Sequence, residues 1–384
     1  MKKRILIVAA LVVVAVVGVY LVHRFGARQA GPSFSSPSIK GDSSRLKQTQ
    51  VVATLDEPME AGKNVIWCSS FQAAWKALQN DLAKEPVSLE GGGNVVQLLN
   101  QANDPKPDAP PGSLYTAAGW EDKGIIAQIH KDLKQQFPAK ELPTFPGMIP
   151  GSFVAYGYLE ANVGFRLPYF QNKKPLEFTA GNGEKANVCS FGLRPEDDYA
   201  YRKLREQAAI LYYAWDKSDF ANGTLKLDEC VLDLDQTSGP SQVVLARVKP
   251  QKTLKATLSS FDAKIRSFKG GASPMGVNDV LLVPDVFYNI SHHFAELERR
   301  NFSNAALKGQ RMDIAQQDIL FRLDRNGAEL KSEAKQYMAP MAKYYVFDRP
   351  FLIIMKKRGA ERPYFVMWVD NAELLRGMEA SAKQ

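Results

Sequence analysis

Apolar and polar residues alternate along this chain in two rhythms, and each rhythm predicts its own kind of element. Period-two or continuously apolar runs rich in aromatic and β-branched residues predict strands near residues 152–161, 208–214, 230–234, 243–248, 279–287, 319–323 and 344–355. Helical spacing covers about 71–78, 94–103 and 120–137, the last stopped by Pro138. Strands mixed with helices, without βαβ alternation or an internal repeat, argue for one α+β domain with antiparallel or mixed sheets. Gly91-Gly92-Gly93 fits neither the dinucleotide fingerprint nor the P-loop, and reads as a turn.

The amino terminus follows neither rhythm. Lys2, Lys3 and Arg4 precede an unbroken apolar run over residues 5–22, long for a signal-peptide core and just sufficient to span a bilayer. Tyr20, His23 and Arg24 crowd its exit, leaving no small-x-small cleavage site. Residues 1–26 are therefore expected to be an uncleaved signal anchor, with the main domain on the extracytoplasmic side. The alternative is secretion after signal cleavage. Residues 27–50, rich in Ser, Gly, Pro and Lys, are expected to be a flexible linker. A domain over 51–376 and a short tail, 377–384, complete the division.

Charge and candidate chemistry change this picture little. The formal charge is +8, but residues 1–50 hold eight Lys and Arg against one Asp. The remainder has 41 basic and 40 acidic residues, no footprint for a nucleic-acid partner. Cys68, Cys189 and Cys230 form neither a metal-ligand spacing nor a disulfide framework; Cys68 reads as a buried thiol, and pairing of the other two is left open. His292 and His293 are adjacent and make a poor metal site. No nucleophile elbow or Cys/His pair is present, so neither an enzyme nor a cofactor is expected.

One long connection stands out. Residues 326–343, with Lys, Glu, Ser, Gln and Ala, join two strongly apolar strands, and a connection of that length is rarely kept without a use. Its downstream flank contains Phe347-Asp348-Arg349-Pro350-Phe351, and its upstream flank reads Asp324-Arg325-Asn326-Gly327-Ala328-Glu329. The first resembles the carboxy-terminal signature of the serpins, and the second the hinge that opens a serpin's reactive-centre loop. Weaker likenesses run back to about residue 51. The resemblance implies one large serpin-fold domain of three β-sheets with surrounding helices and a displayed loop around 327–347. It implies a suicide-substrate inhibitor whose partner is a serine protease, or alternatively a non-inhibitory binding or scaffold protein at the cell surface.

Residue roles follow from the same resemblance. Counting Gly327 as first, the fifteenth residue is Met341, which makes Met341–Ala342 the expected reactive bond. An inserting strand needs alternate side chains that fit a sheet interior. If Ala328 faces inward, so do Leu330, Ser332 and Ala334, while Glu329 faces water. The chain departs from the family in several places. Leu330 stands where alanine is usual, and Arg325 where the hinge is acidic. Phe71, Gly157 and Gln317 stand where a serine, an asparagine and a histidine control sheet opening.

Overall fold

The continuous apolar runs near the carboxyl end become the middle of the largest sheet. The structure, a computed structural model, describes residues 39–378 apart from 162, 195–197, 216–219, 222–223, 237–238 and 326–341. These described residues belong to one unit, and the architecture is α+β. The expected anchor over residues 5–22 lies outside the described residues. Among those described, no helix is long and apolar enough to cross a membrane.

The strands and helices used below are, in chain order, β1 (Ile39–Asp42), β2 (Thr49–Val51), β3 (Asn64–Cys68), α1 (Ser69–Ala77), α2 (Gly93–Gln101), β4 (Leu114–Trp120), α3 (Ile125–Gln136), β5 (Phe153–Leu159) and β6 (Ser190–Leu193). After these come α4 (Asp198–Gln207), α5 (Leu254–Ser267), β7 (Val280–Pro284), β8 (Val286–His293), β9 (Gln316–Leu323), β10 (Ala342–Val346), β11 (Phe351–Lys357) and β12 (Pro363–Val369).

β11 and β12 lie at the centre of an eight-stranded sheet, flanked on one side by Ser241–Arg247 and on the other by β3 and β2. All seven residues of β12 are buried, because the sheet is covered on both faces, which is why the run carries no polar alternation. Ile353, Met355, Phe365 and Met367 face the main core. Leu352, Ile354, Val366 and Trp368 face Leu254, Leu258 and Phe261 of α5. That helix starts where Thr253 Oγ1 accepts from Ala256 N at 3.1 Å, an N-cap that satisfies one orphan donor.

β10, β7 and β6 lie in a six-stranded sheet. The turn 347–350 carries the chain from β10 into β11, from this sheet to the larger one. Phe347 and Phe351 are fully buried there, with ring centroids 5.2 Å apart. Asp348 stands 3.6 Å from the buried guanidinium of Arg247, which also donates to the carbonyls of Val346 and Leu227. The Asp348 carbonyl accepts from Thr179 N at 2.8 Å. The signature residues Phe347, Asp348, Arg349, Pro350 and Phe351 thus form a joint between two sheets, and they report the fold rather than a reacting group.

The third expected sheet is divided. β1, β8 and β9 form a three-stranded sheet, while β4 and β5 form a separate pair. α3 covers one face of that pair, with Ile125, Ile129 and Leu133 against Tyr115 and Val154. The flexible-linker expectation for 27–50 is corrected over its described part. Residues 39–42 are β1, parallel to β8, and residues 43–45 form a 3-10 turn. The backbone there is satisfied by a ladder and a cap rather than by water.

Candidate functional site

The site is built around the first turn of α1, where β5 and β9 both come to rest. β9 alternates without fault: Gln317, Ile319, Phe321 and Leu323 are buried, and Gln316, Asp318, Leu320 and Arg322 face out. One edge of β9 pairs with β8 from Val286–Leu323 to His293–Gln316. Among the described residues its other edge carries no strand, and β5 pairs only with β4. The two strands share one core beneath them, since Phe153, Ala155 and Leu159 pack against the cluster that holds Ile319 and Phe321. They are also electrostatic neighbours. Tyr156 on β5 is pushed up to about 12 by burial and then by the charge of Asp318 on β9.

Gln317, Gly157 and Phe71 are brought together here. The Gln317 amide donates to Cys68 O at 3.0 Å and to Ser70 Oγ at 2.8 Å. Gly157 passes so close that an added Cβ would lie 2.2 Å from the Ser70 carbonyl oxygen. Phe71 points elsewhere, its ring 4.1 Å from that of Phe294. The hydroxyl of the cluster therefore belongs to Ser70, one residue earlier than the expected position at Phe71. The doublet Ser69-Ser70 at the strand-to-helix junction was the available signal. Among the described residues the buried Gln317 Oε1 and Ser69 Oγ find no partner, so the polar cluster is only partly satisfied there.

On the upstream flank, Arg325 is held tightly. Its Nε donates to Tyr169 O at 2.8 Å, and Tyr169 N donates to Arg325 O at 3.0 Å. The ring of Tyr169 is fully buried and its hydroxyl donates to Leu234 O. Close by lies Asp285, a buried carboxyl pushed up to about 6 by burial, with Asp324 raising it further and Gln171, Arg376 and Arg325 opposing. Gln171 Nε2 donates to one of its oxygens at 3.2 Å, and the other has no partner among the described residues. Nothing in the sequence pattern marked Asp285, since its neighbours Gln171, Asp324-Arg325 and Arg376 come from three separate segments.

On the downstream flank, β10 starts at Ala342, which pairs in parallel with Thr224. Lys343 N donates to the buried Asp279 carboxylate at 2.9 Å, and its ammonium lies 4.7 Å from the Tyr213 ring centroid. The two flanks thus belong to different sheets. Gly327, Ala328, Glu329, Leu330, Ser332, Ala334 and Met341 lie outside the described residues.

His292 sits directly across the ladder from Gln317. Burial, with the charge of His293, pushes it down to about 4, so its ring is neutral at neutral pH. Among the described residues no group of three or more His, Cys, Asp or Glu is arranged to hold a metal. All three cysteines are free, and burial raises each thiol.

No family model matches this chain, and no curated protein matches it. Among solved structures, human glycosylated kallistatin is similar at 13% identity, with 81% of this chain and 92% of that one covered and a TM-score of 0.47. A highly specific serpin of the insect Tenebrio molitor is similar at 13% identity, with 80% and 92% covered and a TM-score of 0.43. Native protease nexin-1 with heparin is similar at 8% identity, with 80% and 92% covered and a TM-score of 0.45. With every TM-score below 0.5, these likenesses carry no functional argument. The architecture is one large α+β unit in which residues 326–341 join a strand of one sheet to a strand of another.

Proposed function

We propose that this protein is a serpin-like inhibitor of serine proteases that acts as a suicide substrate through residues 326–341. The observation that carries the reading is that, among the described residues, β5 and β9, the strand that leads into the loop, each have one edge without a ladder. In the reaction the protease serine attacks the Met341 carbonyl carbon. The bond to the Ala342 nitrogen breaks, that nitrogen leaves as an amine carrying the serine's former proton, and the Met341 acyl group stays on the serine. After the cut the released strand remains joined to the body only through β9, so a free edge beside β9 is the nearest place it can add. Ala342 opens β10, so a protease must first undo its pairing with Thr224.

The second reading, a non-inhibitory binding module at the cell surface, is favoured by Arg325. Its two hydrogen bonds to Tyr169 have to break before the loop can follow β9 into a sheet.

Incubation of the full chain with elastase, chymotrypsin, subtilisin and trypsin separates the two. An unbranched apolar Met341 suits the first three pockets. The expected result is an SDS-resistant complex with one of them and a released peptide beginning at Ala342. Met341→Arg then shifts complex formation to trypsin. Cleavage elsewhere, without a covalent complex for any protease, removes the inhibitor reading.

The same proposal places the protein on a membrane through residues 5–22, with the domain on the extracytoplasmic side. Carbonate-washed membranes are expected to retain a protein whose amino-terminal sequence starts at or near Met1. A soluble exported form starting after Arg24 would rule this out.

A further inference from the structure

The stretch expected to be a loose tether is fastened into the sheet that carries β9. β1 runs parallel to β8 from Ile39–Tyr288 to Asp42–Ser291, and so covers an edge that β8 would otherwise present to solvent. Its last residue, Asp42, caps the turn that follows by accepting from Ser44 N at 2.8 Å. The turn tucks Ser43 inward, where its Oγ lies 2.8 Å from His292 Nδ1.

His292 links this contact to the polar cluster. It is the ladder partner of Gln317, which holds Ser70 on α1. Its ring also stands edge-on to Phe294 at 4.7 Å, and Phe294 in turn meets Phe71 at 4.1 Å. A second fastening follows, where the Glu373 carboxylate accepts from Lys47 N, Gln48 N and Thr49 Oγ1 at 2.8, 3.0 and 2.7 Å. Between these two points β1 is the weak part. It has four residues, alternately half-buried and exposed, and none is fully buried. Segments with so little burial open at the low end of the local-unfolding range.

We infer that residues 39–43 are a latch on the opening between β5 and β9. While β1 is paired and Ser43 is bonded to His292, β8 and β9 are held against the first turn of α1. When β1 peels away, β9 is freer to move from β5. This inference deepens the proposal that the gap accepts a strand.

The test uses the full chain in three forms: unaltered, Ser43→Ala, and with residues 39–42 deleted. Hydrogen exchange is read at the amides of β8 and β9. Uptake of a synthetic peptide with the sequence of residues 328–338 is timed in parallel by native gel. The deletion is expected to speed β9 exchange and peptide uptake about tenfold, a change of roughly 1.4 kcal/mol, with Ser43→Ala in between. Equal exchange in all three forms overturns the latch. Faster exchange with no peptide uptake in any form keeps the latch and rejects the strand-accepting gap. If the deletion fails to fold, exchange in Ser43→Ala decides alone.

Discussion

A single cut within residues 326–341 is expected to raise the midpoint of thermal unfolding by roughly 10–20 °C. In the uncut chain the loop's flanks are held in different sheets, Arg325 at Tyr169 and Lys343 at Asp279. Cutting releases that constraint and lets the segment after β9 pair with β9 on one side and β5 on the other. A strand placed between two others holds them about 10 Å apart, so the grip of Ser70 on Gln317 and the close approach of Gly157 must both yield. In return, a strand of about eight residues makes ladder bonds on both edges. At about 0.5–1.5 kcal/mol net for each, the total is on the order of 10 kcal/mol. Each kcal/mol shifts the midpoint by about 2–4 °C in a domain of 150–250 residues, and by less in a larger one. Two terms oppose the gain. Leu330 costs about 1–3 kcal/mol if it must enter a packed interior, and Arg325 loses both bonds to Tyr169. Leu330→Ala is therefore expected to widen the gap between cut and uncut protein by a few degrees. Scanning calorimetry reads both, and an unchanged midpoint after cutting sinks the insertion account.

The largest expected losses of stability come from two glycines. An alanine Cβ at Gly192 would lie 1.8 Å from the Leu281 carbonyl oxygen, and at Gly157 2.2 Å from the Ser70 carbonyl oxygen. Both obstacles are backbone, which no rotamer change removes. Gly192→Ala would force β6 and β7 apart within their ladder, where Gly192 is the partner of Leu282. Gly157→Ala would lift β5 off α1. Overpacking of this kind costs about 1–3 kcal/mol and occasionally more; with a backbone obstacle at such distances, about 3 kcal/mol or more is expected for each. Gly164→Ala is the control, because an added Cβ there meets nothing within 4 Å, and its change should stay within about 0.5 kcal/mol. Denaturant unfolding compares the three. Equal midpoints would mean that the close approaches relax at no cost.

How far the sequence reveals this molecule depends on the range of the interaction that fixes each part. β11 is legible because burial on both faces writes an unbroken apolar run, whereas β12 (Pro363–Val369), buried just as fully, is not among the strands expected. β9 is legible only as the short apolar run 319–323; its inside-outside alternation is masked in the sequence by exposed Leu320 and buried Gln317. The joint at Phe347, Asp348 and Phe351 is legible through its resemblance, and its chemistry explains itself once Arg247 is seen beneath Asp348. β1 is not legible. Ile39 is its only large apolar residue, and its partner β8 lies some 250 positions away, beyond any local pattern. The polar cluster slips by one residue for a similar reason. At the start of a helix successive side chains diverge by about 100°, so Ser70 turns toward Gln317 while Phe71 turns toward Phe294. Local sequence places both on the same turn without saying which one faces β9. Asp285 is hidden because its neighbours Gln171, Asp324 and Arg376 are brought together only by the fold.

Hydrogen exchange on the cut protein tests the central claim, that the gap between β5 and β9 receives the released segment as a strand. After a single cut at Met341–Ala342, the amides of residues 328–335 are expected to show protection approaching that of β9, and the amides of β5 are expected to gain protection with them. Free exchange over 328–335 in the cut protein, with β11 and β12 still protected, would contradict the claim.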